Sequence, residues 1–117
     1  MNNINFADDL TLVLGCIDLR SERHIEFPLV VTREFRERPI DELNLKVRSS
    51  NVLKRQKVFT FGQLMDRFDD IAHYRNCGET SVKEIKNVFL QTWYESVDSE
   101  TRIAFWEEFI ELNKVYR

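Results

Sequence analysis

The chain has little of what breaks or staples a backbone. Three glycines and two prolines in 117 residues are too few for a turn-rich β-sandwich and favour helices. Two cysteines, Cys16 and Cys77, cannot build a disulfide framework, so a reducing cytoplasm is the expected compartment. With only His24 and His73 beside them, no four-ligand zinc site forms without carboxylates. No apolar run reaches the roughly 18 residues of a membrane span. The opening stretch MNNINFADDL carries no basic residue and does not read as a signal peptide. A secreted, membrane-bound or zinc-dependent protein is not expected.

Net charge is also small, at −3 from 17 Lys and Arg against 20 Asp and Glu. What the sequence does have is apolar and aromatic bulk. A hydrophobic share of 43% with nine Phe, three Tyr and two Trp belongs to a folded domain with a single core rather than a disordered segment. The charge is unevenly spread. Residues 1–45 are net −4 and residues 66–117 are net −4, whereas residues 46–65 hold Lys46, Arg48, Lys54, Arg55 and Lys57 and no acid, net +5. Such a basic island is either an electrostatic footprint for phosphate or the solvated face of one helix and a turn.

Periodicity predicts mostly short helices. Residues 5–20 place Phe6, Leu10, Val13, Leu14 and Ile17 at helical spacing behind an Asn5 cap, although Leu10, Leu12, Leu14 and Cys16 also fit a strand. The alternation of Ile25, Phe27, Leu29 and Val31 predicts a short strand, confined by Pro28 to an edge or an arm. The charged REFRER run before Pro39 reads as a linker. Val47 to Gln56 forms a helix with Val47, Val52 and Leu53 inward and Arg48, Asn51, Lys54 and Arg55 outward. Thr60 caps Phe61 to Arg67, and Asp69 or Asp70 caps a turn around Ile71 to Tyr74. Asn76-Cys77-Gly78 is a turn. Thr80 or Ser81 then opens a longer helix with Val82, Ile85, Val88, Phe89 and Trp93 on one stripe, and Asp98 or Ser99 opens a last one with Ile103, Trp106, Phe109 and Ile110 on one face.

The fold class is therefore mainly α: a bundle of short helices, an N-terminal arm with a short strand, and an added C-terminal helix. The expected division is an arm at 1–38, a helical domain at 39–94 and the C-terminal helix at 95–117, packed on that domain. The C-terminal helix, with Ile103, Phe105, Trp106, Phe109, Ile110 and Tyr116, has more apolar surface than one short helix needs. It packs against the arm, or it meets a partner or a second copy as a homodimer.

Catalytic signals are thin. His73 and Cys77 lie four residues apart across a helix end, and Asp69 with Asp70, or Glu107 with Glu108 and Glu111, are explained by charged helix faces. No Gly-rich phosphate loop or nucleophile elbow is present. The sequence reads as a non-enzyme with no cofactor and no catalytic residue.

The most informative local pattern is the turn before the long helix. Gly78-x-x-Ser81 leaves backbone N–H groups at a helix start, able to hold an anion such as a nucleic-acid phosphate. Gly78 also has the simpler reading of a turn residue in left-handed backbone. The surrounding stretch, with its P-I-D-E-L entry, V-R-S-x-N-x-L-K, Thr60-x-Gly62-x-Leu64, the N-x-G-x-x-S turn and E-I-K, resembles the C-terminal domain of the bacterial RNA polymerase alpha subunit over roughly residues 39–91.

That resemblance implies a bundle of four helices after a nonstandard turn, with helix-hairpin-helix elements. It implies binding to the minor groove of A/T-rich promoter DNA and contacts with RNA polymerase, sigma factor or a transcription activator. Carried over by position, the DNA-facing set is Arg48, Asn51, Val52, Gly78, Thr80, Ser81 and Glu84. Arg48 enters the groove, Asn51 holds groove and backbone, Gly78 and Ser81 grip phosphate, and Glu84 orients the surface. Asp41, Glu42 and Asn44 fall in the patch turned toward sigma factor. The sequence also departs from the family pattern. Glu79 and Thr80 replace the usual lysines after the glycine, Val52 replaces a cysteine, and Asn44 replaces an acid. Two readings follow. One is a non-enzymatic, transcription-associated module that binds A/T-rich DNA weakly. The other is a protein-interaction module that mimics the alpha C-terminal domain and barely touches DNA. Residues 1–38 are too few for the large assembly domain of an alpha subunit, so a stand-alone domain is expected.

Overall fold

The computed structural model describes residues 4–22, 24–74 and 77–115. Six α-helices follow one another: α1 (Phe6–Leu14), α2 (Arg33–Glu37), α3 (Val47–Arg55), α4 (Phe61–Asp66), α5 (Glu79–Ser96) and α6 (Ser99–Asn113). Single 3-10 segments occupy Ile40–Glu42 and Phe68–His73. No strand occurs among the described residues, which hold two isolated bridges, Leu19 to Lys114 and Pro39 to Thr60. The protein is mainly α, as expected. It divides into two compact units: one made of residues 31–92, the other of residues 1–30 together with 93–117. Helix α5 contributes residues to both.

The 31–92 unit is built on three phenylalanines. Phe35, Phe61 and Phe89 are buried and meet as a triangle, with centroids 5.1 Å (Phe35–Phe61), 5.7 Å (Phe61–Phe89) and 6.0 Å (Phe35–Phe89) apart. Leu53, Val58, Leu64, Ile71 and Ile85 complete this core. The REFRER run is not a linker. Thr32 caps it by accepting from the Phe35 N–H at 3.1 Å, and Phe35 drops into the core, so five residues fold as α2. Helix α2 meets α4 where Gly62 leaves room. A Cβ at Gly62 would lie 3.0 Å from Arg36 Cβ. Arg36 instead crosses the glycine, and its Nη2 donates to both carboxylate oxygens of Asp66, at 2.9 and 3.1 Å. Arg38 lies over the Phe61 ring at 4.8 Å, and the Arg38 carbonyl accepts from the Phe61 N–H at 2.9 Å.

Helix α3 ends without a glycine. Lys57 takes the left-handed conformation (φ 59°), its N–H donating to Lys54 O at 3.0 Å and the Val58 N–H to Leu53 O at 2.9 Å. This pair of bonds is a Schellman stop, and Val58 and Leu53, the positions between which such caps favour an apolar contact, are both fully buried. Thr60 caps α4 as expected, through Gln63 N–H at 3.2 Å. The turn around Ile71 is 3-10 and begins at Phe68, with no side-chain cap from Asp69 or Asp70.

The other unit gathers Phe6, Phe27, Trp93, Tyr94, Phe105, Trp106 and Phe109. Phe6 lies 5.3 Å from Tyr94 and 5.4 Å from Trp106, centroid to centroid. The Tyr94 hydroxyl donates to Asp9 at 2.6 Å and accepts from Trp106 Nε1 at 2.7 Å, which ties α1 to α5 and α6. The apolar alternation at 25–31 does not make a strand, because no second strand among the described residues pairs with it. Buried Asn113 takes that place: its Oδ1 accepts from Glu26 N–H and its Nδ2 donates to Glu26 O, both at 2.8 Å. Trp93 Nε1 donates to Val30 O at 3.0 Å, and Pro28 sits at a tight turn in which Leu29 N–H reaches Phe27 O. The apolar face of α6 is also shifted. Phe105 and Phe109 are buried while Ile103 is 59% exposed. Tyr116 lies outside the described residues.

Candidate nucleic-acid interface

Helix α3 starts on a residue that cannot cap it. Lys46 is the N-cap and offers no side-chain acceptor, and no acid occupies the first turn. The missing acceptor comes from α5. Glu84 accepts from the Lys46 N–H at 3.1 Å and from the Ser49 hydroxyl, bringing a carboxylate to the positive end of α3. Ser49 is buried for this purpose. Its role has no local signal in the sequence, since the partner is 35 residues away.

This bond fixes the start of α3 beside the first turns of α5. On the outer side of α3, Arg48 and Asn51 are exposed one turn apart, and exposed Arg55 follows at i+7 from Arg48 on the same stripe. Among the described residues Lys46, Arg48, Arg55 and Lys57 form no ion pair, whereas Lys54 is held by Asp41 at 3.1 Å. Val47, expected inward, is 75% exposed: it precedes the turn in which Ser49 and Val52 face the core. Val52, from the DNA-facing set, is 2% exposed, so its side chain anchors α3 and only its neighbours reach the surface.

At the start of α5, Val82 N–H bonds Gly78 O at 3.0 Å, which leaves the N–H groups of residues 79–81 without an acceptor inside the helix. Gly78 is not left-handed, since no glycine among the described residues has positive φ. Nor is it crowded: a Cβ there would meet nothing within 4 Å. Thr80 is exposed, and Ser81 is 6% exposed with its side chain turned inward. Cys77 precedes this turn, and Arg48 is near enough to act on it. Burial pushes the Cys77 thiol above its ordinary value, and the Arg48 guanidinium pulls it back. Asn76, the first residue of the expected turn, lies outside the described residues. The negative Glu79 is drawn to Lys83 at 3.2 Å, one helical turn on.

The sigma-facing set is also on the surface. Asp41, Glu42 and Asn44 are exposed, with Asp41 on Lys54 and Glu42 on Arg38 at 3.4 Å. His73 is exposed. No group of three or more His, Cys, Asp or Glu side chains among the described residues is placed to hold a metal, and no helix among them is long and apolar enough to cross a membrane.

The family model for the C-terminal domain of the bacterial RNA polymerase alpha subunit matches residues 30–91, more than half of this sequence. The protein belongs to this family. The matched range agrees with the 31–92 unit to within one residue at each end. The alpha C-terminal-domain family thus accounts for one unit, and residues 1–29 with 92–117 lie outside it. Relatives include the DNA-directed RNA polymerase subunit alpha of Acidothermus cellulolyticus and that of Cutibacterium acnes. Each is 47% identical over 49 residues, covering 41% of this protein and 14% of theirs. The match thus spans about a seventh of the length of these curated relatives. No solved structure matches.

Proposed function

We propose that the protein is a non-enzymatic DNA-binding module of the cytoplasmic transcription machinery, acting on the minor groove of A/T-rich DNA. The observation that carries this reading is the Glu84 tie, which supports α3 and the start of α5 as one surface. On it Arg48 enters the groove, where narrow A/T minor grooves concentrate negative potential. Asn51 reaches the sugar–phosphate edge, and the N–H groups that follow Gly78 receive a phosphate. Thr80 stands beside that phosphate, while Val52, Ser81 and Glu84 act from beneath by fixing the two helices. Glu79 opposes the same phosphate, so the affinity is low and a protein partner assists.

The test is titration of labelled A-tract and G·C duplexes at two salt concentrations with wild type and Arg48→Ala. A-tract binding that weakens about tenfold in the variant, with a salt slope reduced by about one, is expected. Equal binding by both proteins, or no salt dependence, would refute it.

Glu79 favours a second reading. Its carboxylate stands where a phosphate would approach, and its side chain is 83% exposed. In that reading Asp41, Glu42 and Asn44 meet RNA polymerase, sigma factor or an activator, and the module imitates an alpha C-terminal domain without holding DNA. Retention of polymerase or sigma factor by the immobilised protein, with no duplex binding, distinguishes it.

A further inference from the structure

The unit outside the family carries a surface of its own. Leu12 and Val13 of α1, Ile103 and Trp106 of α6, and Tyr94 of α5 line an open groove of about 370 Å³. Leu12 is 70% exposed and Ile103 59%, so both walls offer aliphatic surface to solvent. The one cation in the lining, Arg102, is already engaged. Its guanidinium donates to the Tyr94 carbonyl at 2.9 Å and to the Val97 carbonyl, and it lies over the Tyr94 ring.

The rim is acidic. Asp8 lies one turn before Leu12, and Glu100 and Glu107 lie one turn either side of Ile103. All three are exposed and have no ion pair among the described residues. Counted over their residue ranges, the 1–30/93–117 unit has five basic and eleven acidic residues, net −6. The 31–92 unit has twelve and nine, net +3.

We infer that this groove docks an amphipathic helix of another protein, one with a Leu-type stripe flanked by Lys or Arg. Charge selects the occupant. Lys or Arg flanks meet Asp8, Glu100 and Glu107, whereas a second copy laid groove to groove would set net −6 against net −6. The walls themselves are helices, the usual setting for a helix-in-groove contact.

Two labelled helical peptides test it on the full-length protein, one of Leu and Lys repeats and one of Leu and Glu repeats, followed by anisotropy. The Leu/Lys peptide is expected to bind and the Leu/Glu peptide not to. Ile103→Glu separates docking from bulk attraction, because it makes the unit still more acidic. Docking requires at least about tenfold weaker binding from the lost aliphatic contact, whereas plain charge attraction gives equal or tighter binding and overturns the inference. Leu12→Glu on the opposite wall repeats the comparison, with circular dichroism melting to confirm that each variant folds. Arg48→Ala must leave peptide binding unchanged, which keeps this result independent of DNA binding. Sedimentation that shows dimers lost on Ile103→Glu would assign the groove to self-association instead.

Discussion

Removing the Glu84 carboxylate should loosen the start of α3 more than any other single change on that surface. Glu84 accepts two hydrogen bonds, from Lys46 N–H at 3.1 Å and from the Ser49 hydroxyl. It also faces the positive end of a helix that has no acid in its first turn. A hydrogen bond to a charged group contributes about 1.5–3 kcal/mol where desolvated, and a charge at a helix end about 0.3–1 kcal/mol. The part-buried Ser49 bond takes the lower figure, about 1.5 kcal/mol, the exposed Lys46 bond contributes about 0.5–1 kcal/mol, and the helix end adds about 0.3 kcal/mol. Glu84→Ala should therefore destabilise by about 2–3 kcal/mol. With a urea m-value of about 1.5 kcal/mol/M, the midpoint falls by roughly 1.3–2 M. Ser49→Ala removes one of the two bonds and should cost about 1–1.5 kcal/mol. The double variant should then be no less stable than Glu84→Ala alone, giving a coupling of about 1 kcal/mol in a double-mutant cycle. Hydrogen exchange at the Lys46 amide should accelerate in the Glu84 variants while the middle of α5 keeps its protection. A loss below about 0.5 kcal/mol for Glu84→Ala, or strict additivity with Ser49→Ala, would refute the cap.

The remaining predictions concern backbone, packing and pH. Lys57→Gly relieves a left-handed lysine (φ 59°) and should stabilise by about 0.5–1 kcal/mol, net of the entropy that glycine adds to the unfolded state; thermal melting reads it. Gly62→Ala puts a methyl 3.0 Å from Arg36 Cβ and should destabilise by about 1–2 kcal/mol despite alanine's better helix propensity. A stabilised variant would mean that α2 moves aside freely. The Tyr94 hydroxyl titrates above its ordinary value, chiefly through burial and then through its bond to Asp9. A raised pKa means that this stabilisation is complete below about pH 10 and is lost as pH climbs through the folded value. Tyr94→Phe should thus be less stable than wild type at neutral pH, with the gap closing above about pH 10. A gap that stays constant across urea melts at pH 7–11 would contradict this.

Local chemistry carried much of the fold in the sequence. Asn5, Thr60 and Asp98 each announce a helix start by a short polar side chain, and each accepts a first-turn N–H. Five-residue α2 could not be read this way. It buries one side chain, Phe35, which is too little for a periodicity, so its charged residues dominated. The arm shows a different limit. Ile25, Phe27, Leu29 and Val31 are half-buried while Glu26 and Val30 are exposed, so the alternation reports facing correctly. Facing does not create a ladder, and Asn113, 87 residues away, supplies the partner instead. At the candidate interface Arg48 and Asn51 were legible as outward residues of a basic helix. The inward turn of Ser81 and the burial of Val52 were not, because both depend on how α3 and α5 meet.

The Glu84 tie has an evolutionary consequence. Because Lys46 cannot cap its own helix, positions 46, 49 and 84 are expected to vary together among relatives although they stand far apart in the sequence. A relative that loses the acid at the position of Glu84 should carry Ser, Thr, Asp or Asn at that of Lys46, a side chain that caps the helix by accepting from the N–H two or three residues on. One that keeps the acid is free to place a cation there, beside the arginine that follows. A half-buried acid behind the surface would thereby be the licence for an extra positive charge on it.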